Sequence, residues 1–87
     1  CNSGAESVEA AIKLARRRGN QQDIDVPQIV VMENSFHGRT MATLSASGSR
    51  KVQAGFEPLV QGFIRAPYND LEFLRNLGRN RQGVVAV

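Results

Sequence analysis

Short apolar segments alternate with segments of helical periodicity along this chain, and the alternation limits the folds that it can adopt. The apolar segments are rich in β-branched residues and bounded by turn-forming residues, which is typical of strands; they cover Gln28–Met32, Phe63–Arg65 and Gly83–Val87. Strands that alternate with helices favour a largely parallel sheet with helices packed on it. The sequence therefore predicts the α/β class, as one unit over residues 1–87 without an internal domain boundary.

The first helix is predicted for Ser3–Arg18, because apolar residues recur there at steps of three and four and define one face. Ser3 and Glu6 have the spacing of a capping box, in which each side chain bonds the other's backbone N–H. Gly19 has the position of a left-handed C-terminal cap. The run Arg16–Arg18 is interpreted as a solvated helix end, where cations complement the helix dipole.

The remaining segments complete the predicted order. They are a surface loop at Gly19–Pro27, a turn at Glu33–Gly38, a short helix at Arg39–Ala46, irregular structure at Ser47–Gly62, and a helix from Asn69 or Asp70 to Leu77. In the last helix Leu71 and Leu74 are expected to face inward. Gly78 is expected to end that helix.

Composition excludes several classes of function. The net charge is +3, from 11 basic and 8 acidic residues, and the aromatic residues do not interleave with the positive ones as a nucleic-acid platform requires. No apolar run is long enough to span a bilayer. The single cysteine, Cys1, cannot form an internal disulfide. Because the chain begins at Cys1 and ends within an apolar segment, we expect it to be an internal piece of a longer protein.

The segment Asn2–Glu6 is the first candidate site. Unpaired backbone N–H groups in a first helical turn, together with the helix dipole, favour a bound anion. Gly4 has no side chain and would let a phosphate approach the backbone closely. The alternative is an ordinary capped helix start without a ligand, which the same residues also predict.

The segment Ser35–Thr40 is the second candidate, since it follows a predicted strand, and ligands of open α/β sheets gather beyond the carboxyl ends of strands. Phe36 could stack on a planar ring, and Arg39 offers a planar fork for a carboxylate or phosphate. The alternative is that Phe36 belongs to the core and Arg39 to a surface ion pair. His37 has no nucleophile or carboxylate partner in sequence, so we interpret it as structural, and no metal site is predicted.

Taken together and in this order, the motifs resemble those of class III aminotransferases, which depend on pyridoxal phosphate. The strings that carry this resemblance are Asn2–Glu6, Glu9–Arg16 and Phe36–Thr40. Two further strings, Arg50–Leu59 and Pro67–Leu71, look like the acetylornithine aminotransferase branch of that family. The resemblance covers nearly the whole chain. It implies part of the large, cofactor-binding domain of a fold-type I transferase.

The resemblance also implies roles for individual residues. In this family the residues at the positions of Gly4 and Ala5 bind the cofactor phosphate through backbone N–H groups, and the residue at Phe36 stacks on the pyridine ring. The residue at Arg39 grips the α-carboxylate of the substrate in the acetylornithine branch. The family's Schiff-base lysine and its aspartate partner are expected beyond the last strand. Lys13 and Lys51 lie outside that motif, so no catalytic residue is predicted here.

The implied reaction moves an amino group from N2-acetyl-L-ornithine to 2-oxoglutarate in arginine biosynthesis, giving N-acetyl-L-glutamate 5-semialdehyde and L-glutamate. The implied enzyme is a cytoplasmic homodimer with small-molecule substrates and neither nucleic-acid nor membrane partners, and we expect the 87-residue chain alone to be inactive. One alternative is another class III aminotransferase, acting on ornithine, succinylornithine or 4-aminobutyrate. A second, from a different class, is a non-catalytic phosphate-binding module.

Overall fold

The computed structural model describes residues 1–81 and 83–87. The elements of these residues are, in chain order, α1 (Gly4–Gln21), β1 (Gln28–Met32), α2 (Met41–Ala46), α3 (Arg50–Gln53), β2 (Phe63–Ala66), α4 (Leu71–Asn80) and β3 (Val84–Ala86). All three predicted strands are present, and β1 has the predicted bounds.

The strands form a sheet in the order β2-β1-β3, and β1 pairs in parallel with both neighbours. In the β1–β2 pair Ile29 lies opposite Phe63 and Met32 lies opposite Ala66. The three middle residues of β1, Ile29 to Val31, are buried. A central parallel strand is covered on both faces, which explains its uninterrupted apolar run. The prediction of a mostly parallel sheet flanked by helices is confirmed.

The core joins α1 to one face of this sheet. Ile12 of α1 packs with Ile29 and Val31 of β1 and with Ala46 of α2. Ile29 and Val31 share a face because side chains alternate along a strand. Partly buried apolar residues surround this cluster, namely Val8, Ala15, Ala42, Phe63, Val85 and Ala86. The apolar face predicted for the first helix is therefore the one that contacts the sheet.

The prediction for the end of α1 is wrong. The helix continues to Gln21, and Gln22 caps it by donating its N–H to the carbonyl oxygens of Gly19 at 3.0 Å and Arg18 at 3.2 Å. Gly19 is buried inside the helix, where an added Cβ would lie 2.6 Å from Cγ of Pro27. Glycine is therefore required at this position by close packing, and the loop begins only after Gln21.

The arginine run is also more than a solvated helix end. Nη2 of Arg16 donates a hydrogen bond to the carbonyl oxygen of Gln61, which precedes β2. Arg16 is half-buried, whereas Arg17 and Arg18 are exposed as predicted. One of the three arginines thus ties α1 to the edge strand.

The last helix begins as predicted but runs further. The Asp70 side chain accepts the N–H of Phe73 at 2.9 Å, which confirms the aspartate as the cap. The helix passes through Gly78 and ends at Asn80, so Gly78 is not its cap. Leu71 is 60% exposed rather than inward-facing. Side chains lean toward the start of a helix, so that of a first residue extends past the first turn into solvent.

Gly19 and Gly78, the two glycines with the sequence position of a helix cap, give a matched pair of variants in the full-length protein. Gly19→Ala places a methyl group against Pro27 and should lower the free energy of unfolding by about 1–3 kcal/mol. Gly78→Ala meets no heavy atom within 4 Å and should raise it by about 0.5–1 kcal/mol, because alanine favours helices. Thermal unfolding measures both changes. Unchanged stability in Gly19→Ala would contradict the close packing.

Candidate functional site

The start of α1 is capped by its own residues. Oγ of Ser3 accepts the N–H of Glu6 at 3.3 Å, which is the first bond of the predicted capping box. The return bond differs from the prediction, since Oε2 of Glu6 accepts the N–H of Asn2 at 2.8 Å instead of that of Ser3. The geometry places one carboxylate beside the first turn and fixes the entry of the chain.

Two backbone donors remain free in this turn. Within the described residues, the N–H groups of Gly4 and Ala5 donate to no protein acceptor. A Cβ added to Gly4 would meet nothing within 4 Å, so the space around this residue is open. Free N–H groups at the positive end of an 18-residue helix suit a bound anion. The same turn is therefore a capped helix start that also leaves two N–H donors open to a ligand.

The second candidate segment forms the turn after β1. Oγ of Ser35 donates to the carbonyl oxygen of Met32 at 2.7 Å, and the Ser35 carbonyl accepts the N–H of Gly48 at 2.8 Å. These bonds fold the turn back on the strand end. Phe36 is 70% exposed. The alternative that placed Phe36 in the core is thus wrong, and its ring is accessible to a ligand.

Gly38 brings the two candidate segments together. Its φ is +131°, a conformation that other residues rarely adopt, and it is buried. A Cβ at this position would lie 2.7 Å from Oγ1 of Thr43 and 2.8 Å from Cβ of Ala5. The turn that carries Phe36 and Arg39 therefore lies directly against the first turn of α1.

Glu9 forms a second connection between these segments that sequence reasoning missed. Oε1 of Glu9 accepts the Thr40 hydroxyl at 2.5 Å and the N–H of Thr43 at 3.3 Å. Thr40 is the N-cap of α2, so the carboxylate lies at the positive end of that helix, where its charge is stabilising. A glutamate on a helical pattern does not indicate a partner this distant in sequence.

The other end of α2 is also held by side chains from neighbouring elements. Nη2 of Arg65 donates to the carbonyl oxygens of Ser45 and Ser47, both at 2.8 Å. Nε2 of Gln53 donates to the Ser47 carbonyl at 2.8 Å and to that of Leu44 at 3.1 Å. These donors satisfy carbonyl groups that have no partner within a helix end. Gln53 belongs to α3, which lies inside the stretch predicted to be irregular.

Arg39 precedes α2 instead of beginning it, because the helix starts at Met41. Arg39 is exposed and forms no ion pair within the residues that the structure describes, in contrast to the surface-pair alternative. It lines a depression of about 570 Å³ whose other walls are Thr40, Met41, Leu44, Lys51, Val52 and Phe56. None of the described residues that line it is acidic. The cations Arg39 and Lys51 lie beside apolar side chains, an arrangement that suits a carboxylate on an aliphatic chain.

His37 lies next to the core. Its N–H donates to Oγ of Ser47 at 3.0 Å, while its Nε2 is buried without a hydrogen-bond partner among the described residues.

Within residues 1–81 and 83–87, no group of three or more His, Cys, Asp or Glu side chains could hold a metal ion. In these residues no helix is long and apolar enough to cross a bilayer.

Comparison with known sequences gives one consistent family. Residues 1–86 match the family model described as Aminotransferase class-III. An acetylornithine aminotransferase from Nitrosomonas europaea is 62% identical over 87 residues, which is 100% of this chain and 22% of that protein. The chain thus spans about a fifth of the length of the relatives that it matches.

Solved structures agree with the sequences. The ornithine aminotransferase of Toxoplasma gondii superposes with a TM-score of 0.91 at 29% identity, over 99% of this chain and 21% of that one. A second structure of that enzyme, with PLP at partial occupancy in its active site, gives a TM-score of 0.89 at 28% identity, with 99% of this chain and 21% of that one covered.

A pair of glycine variants tests the contact between the two segments. Gly38→Ala combines an unfavourable φ with overlap against Thr43 and Ala5, and should lower stability by about 2–4 kcal/mol. Gly55→Ala has a φ of +88° but meets nothing within 4 Å, so it should cost only the backbone strain of about 1–2 kcal/mol. Thermal unfolding of the full-length protein compares them. Equal losses would show that Gly38 is not packed as described.

Proposed function

The chain belongs to the class III aminotransferase family, and we propose that it supplies cofactor and substrate contacts in an acetylornithine aminotransferase. The reaction moves the side-chain amino group of N2-acetyl-L-ornithine to 2-oxoglutarate, giving N-acetyl-L-glutamate 5-semialdehyde and L-glutamate. The observation that carries the proposal is the contact of Gly38 with Ala5. This contact supports the proposal because it brings the turn that carries Phe36 and Arg39 against the first turn of α1, where the described residues leave the N–H groups of Gly4 and Ala5 without an acceptor.

The residues of this site fit pyridoxal phosphate. The N–H groups of Gly4 and Ala5 have no acceptor among residues 1–81 and 83–87, and the open space at Gly4 leaves room for a phosphate group. The exposed ring of Phe36 offers a flat face for the pyridine ring. When bound, the cofactor supplies the electron sink that amino transfer requires. These three residues would bind and orient it.

Arg39 would hold the substrate α-carboxylate. A guanidinium presents two parallel N–H donors to a carboxylate, which fixes the direction of the substrate as well as its position. Leu44 and Val52 line the same depression and would contact the aliphatic chain, and Lys51 adds a second positive charge. We propose no proton-transfer role for these residues, and we place the catalytic lysine outside residues 1–87.

Ornithine is the second candidate donor. The structural match with the T. gondii ornithine aminotransferase favours it, although that enzyme is only 29% identical to this chain. The 62% identity with an acetylornithine aminotransferase supports the acetylated donor more strongly. The family resemblance further supports a cytoplasmic homodimer that acts in arginine biosynthesis, with residues 1–87 in the large cofactor-binding domain.

The proposal is tested by assaying the purified full-length protein with pyridoxal phosphate and 2-oxoglutarate. Glutamate formation is measured with N-acetylornithine, ornithine, succinylornithine and 4-aminobutyrate as separate donors. We expect the highest kcat/KM with N-acetylornithine. A higher value with ornithine would transfer the assignment to that donor. If the protein binds pyridoxal phosphate through its phosphate group but forms no glutamate from any donor, it is a non-catalytic phosphate-binding module.

The role of Phe36 predicts weaker cofactor binding in Phe36→Ala. Loss of one aromatic stacking contact corresponds to about 1 kcal/mol, or roughly a fivefold rise in the Kd of pyridoxal phosphate. Tyr68, which is 82% exposed, provides the control Tyr68→Ala. Cofactor affinity is measured by titrating the apoprotein. If both variants bind pyridoxal phosphate like the wild type, Phe36 does not stack on the ring.

The role of Arg39 predicts that Arg39→Lys is not a conservative change. A lysine cannot form the two-pronged bond, so the KM for the amino donor should rise roughly tenfold while the affinity for pyridoxal phosphate stays constant. Arg17→Lys, on the exposed side of α1, is the control. Steady-state kinetics give both constants. Wild-type kinetics in Arg39→Lys would make Arg39 a surface residue without a substrate contact.

A further inference from the structure

We propose that Glu9 is a positioning residue, which holds the turn with Phe36 and Arg39 in a fixed orientation to the phosphate-binding end of α1. This inference rests on the proposed function and deepens it. Glu9 itself lies about 1.4 helical turns from Gly4 and is not proposed to contact cofactor or substrate. It would act through Thr40 and Thr43, which it bonds directly.

Glu9 forms a polar link between the two parts of the site. Its Oε1 accepts a hydroxyl donor from Thr40 and a backbone donor from Thr43, so one atom fixes the first turn of α2. The N–H of Thr40 in turn donates to Oγ1 of Thr43 at 3.0 Å. The other link is the apolar contact of Gly38 with Ala5. Arg39 lies between these two anchors.

The position of Arg39 explains why this link matters for binding. Its side chain is exposed and forms no ion pair with the described residues, so the neighbouring backbone fixes only the point from which the side chain extends and the direction of its Cα–Cβ bond. Gly38 is fixed against α1, and Thr40 is fixed by Glu9. Two-pronged carboxylate binding depends on direction as well as distance. Release of Thr40 would therefore misalign the guanidinium and leave the phosphate donors in place.

A positioning role for Glu9 and a merely structural role predict different changes in KM, kcat and the Kd for pyridoxal phosphate when Glu9 is replaced. A structural defect lowers stability and affects all ligands together. A positioning defect raises the KM for the amino donor while the Kd for pyridoxal phosphate and kcat stay close to wild type. The amide of Thr43 gives an additional readout that needs no turnover. It donates to Glu9 as well as to the Thr40 side chain in the capping box of α2, so loss of the Glu9 acceptor should change its hydrogen exchange.

The experiment compares Glu9→Ala and Glu9→Gln in the full-length protein, with Glu72→Ala in the exposed first turn of α4 as the control. Glu9→Ala removes the acceptor and should raise the KM for N-acetylornithine roughly tenfold, the effect of one charge-assisted hydrogen bond. It should also accelerate exchange at Thr43. Glu9→Gln keeps Oε1 as an acceptor, so its KM for N-acetylornithine and its exchange rate at Thr43 should both stay close to the wild-type values. The cofactor Kd should change by less than about twofold.

A double-mutant cycle keeps the test decisive if Glu9→Ala folds poorly. Thr40→Val removes the hydroxyl at nearly constant volume, and Glu9→Asp withdraws the carboxylate by one methylene while keeping its charge. If Glu9 acts through Thr40, combining these two changes should raise KM no more than the larger single change. Additive effects would contradict action through Thr40. Faster exchange at Thr43 with an unchanged KM would show a structural role only and would overturn the inference.

Failure of the proposed function gives a different result. A wild-type protein that forms no glutamate from any donor removes the proposed reaction. Exchange at Thr43 then still decides whether Glu9 holds the turn. Faster exchange in Glu9→Ala, reversed in Glu9→Gln, supports the link. Wild-type exchange in both variants overturns it.

Discussion

The short helix α2 is held at both ends by side chains from other elements, and the position of the candidate site depends on this arrangement. The carboxylate of Glu9 lies at its N-terminus and the guanidinium of Arg65 at its C-terminus. Both charges have the sign that the helix dipole favours. A helix of six residues is not stable alone, so these contacts and the burial of Leu44 and Ala46 maintain it.

The remaining parts of the site meet at the carboxyl ends of the parallel strands. Ligands of such sheets bind beyond the carboxyl ends of the strands. The turn after Met32 begins at the carboxyl end of β1. The start of α1 lies beside it because the helix packs on the sheet through Ile12 and contacts the turn at Gly38. One helix thus contributes both the free N–H donors at Gly4 and the carboxylate of Glu9.

The sequence predicted the elements whose determinants are local. The β1 run and the Asp70 cap can be identified from neighbouring residues, and both predictions are confirmed. The end of α1 was wrong because Gly19 serves a contact with Pro27, which helix-end patterns cannot show. Glu9 and Arg65 were missed because their partners are 31 and 20 residues distant. The binding roles of the candidate site residues stay predictions, since they concern ligands.

A crystal structure of the full-length protein with pyridoxal phosphate bound would show whether the start of α1 and the turn after β1 hold the cofactor together. We expect phosphate oxygens within hydrogen-bonding distance of the N–H groups of Gly4 and Ala5. We also expect the ring of Phe36 to lie against the pyridine ring and the guanidinium of Arg39 to face the open substrate side. A phosphate held away from the start of α1, with Phe36 remote from the cofactor, would contradict the proposed cofactor site.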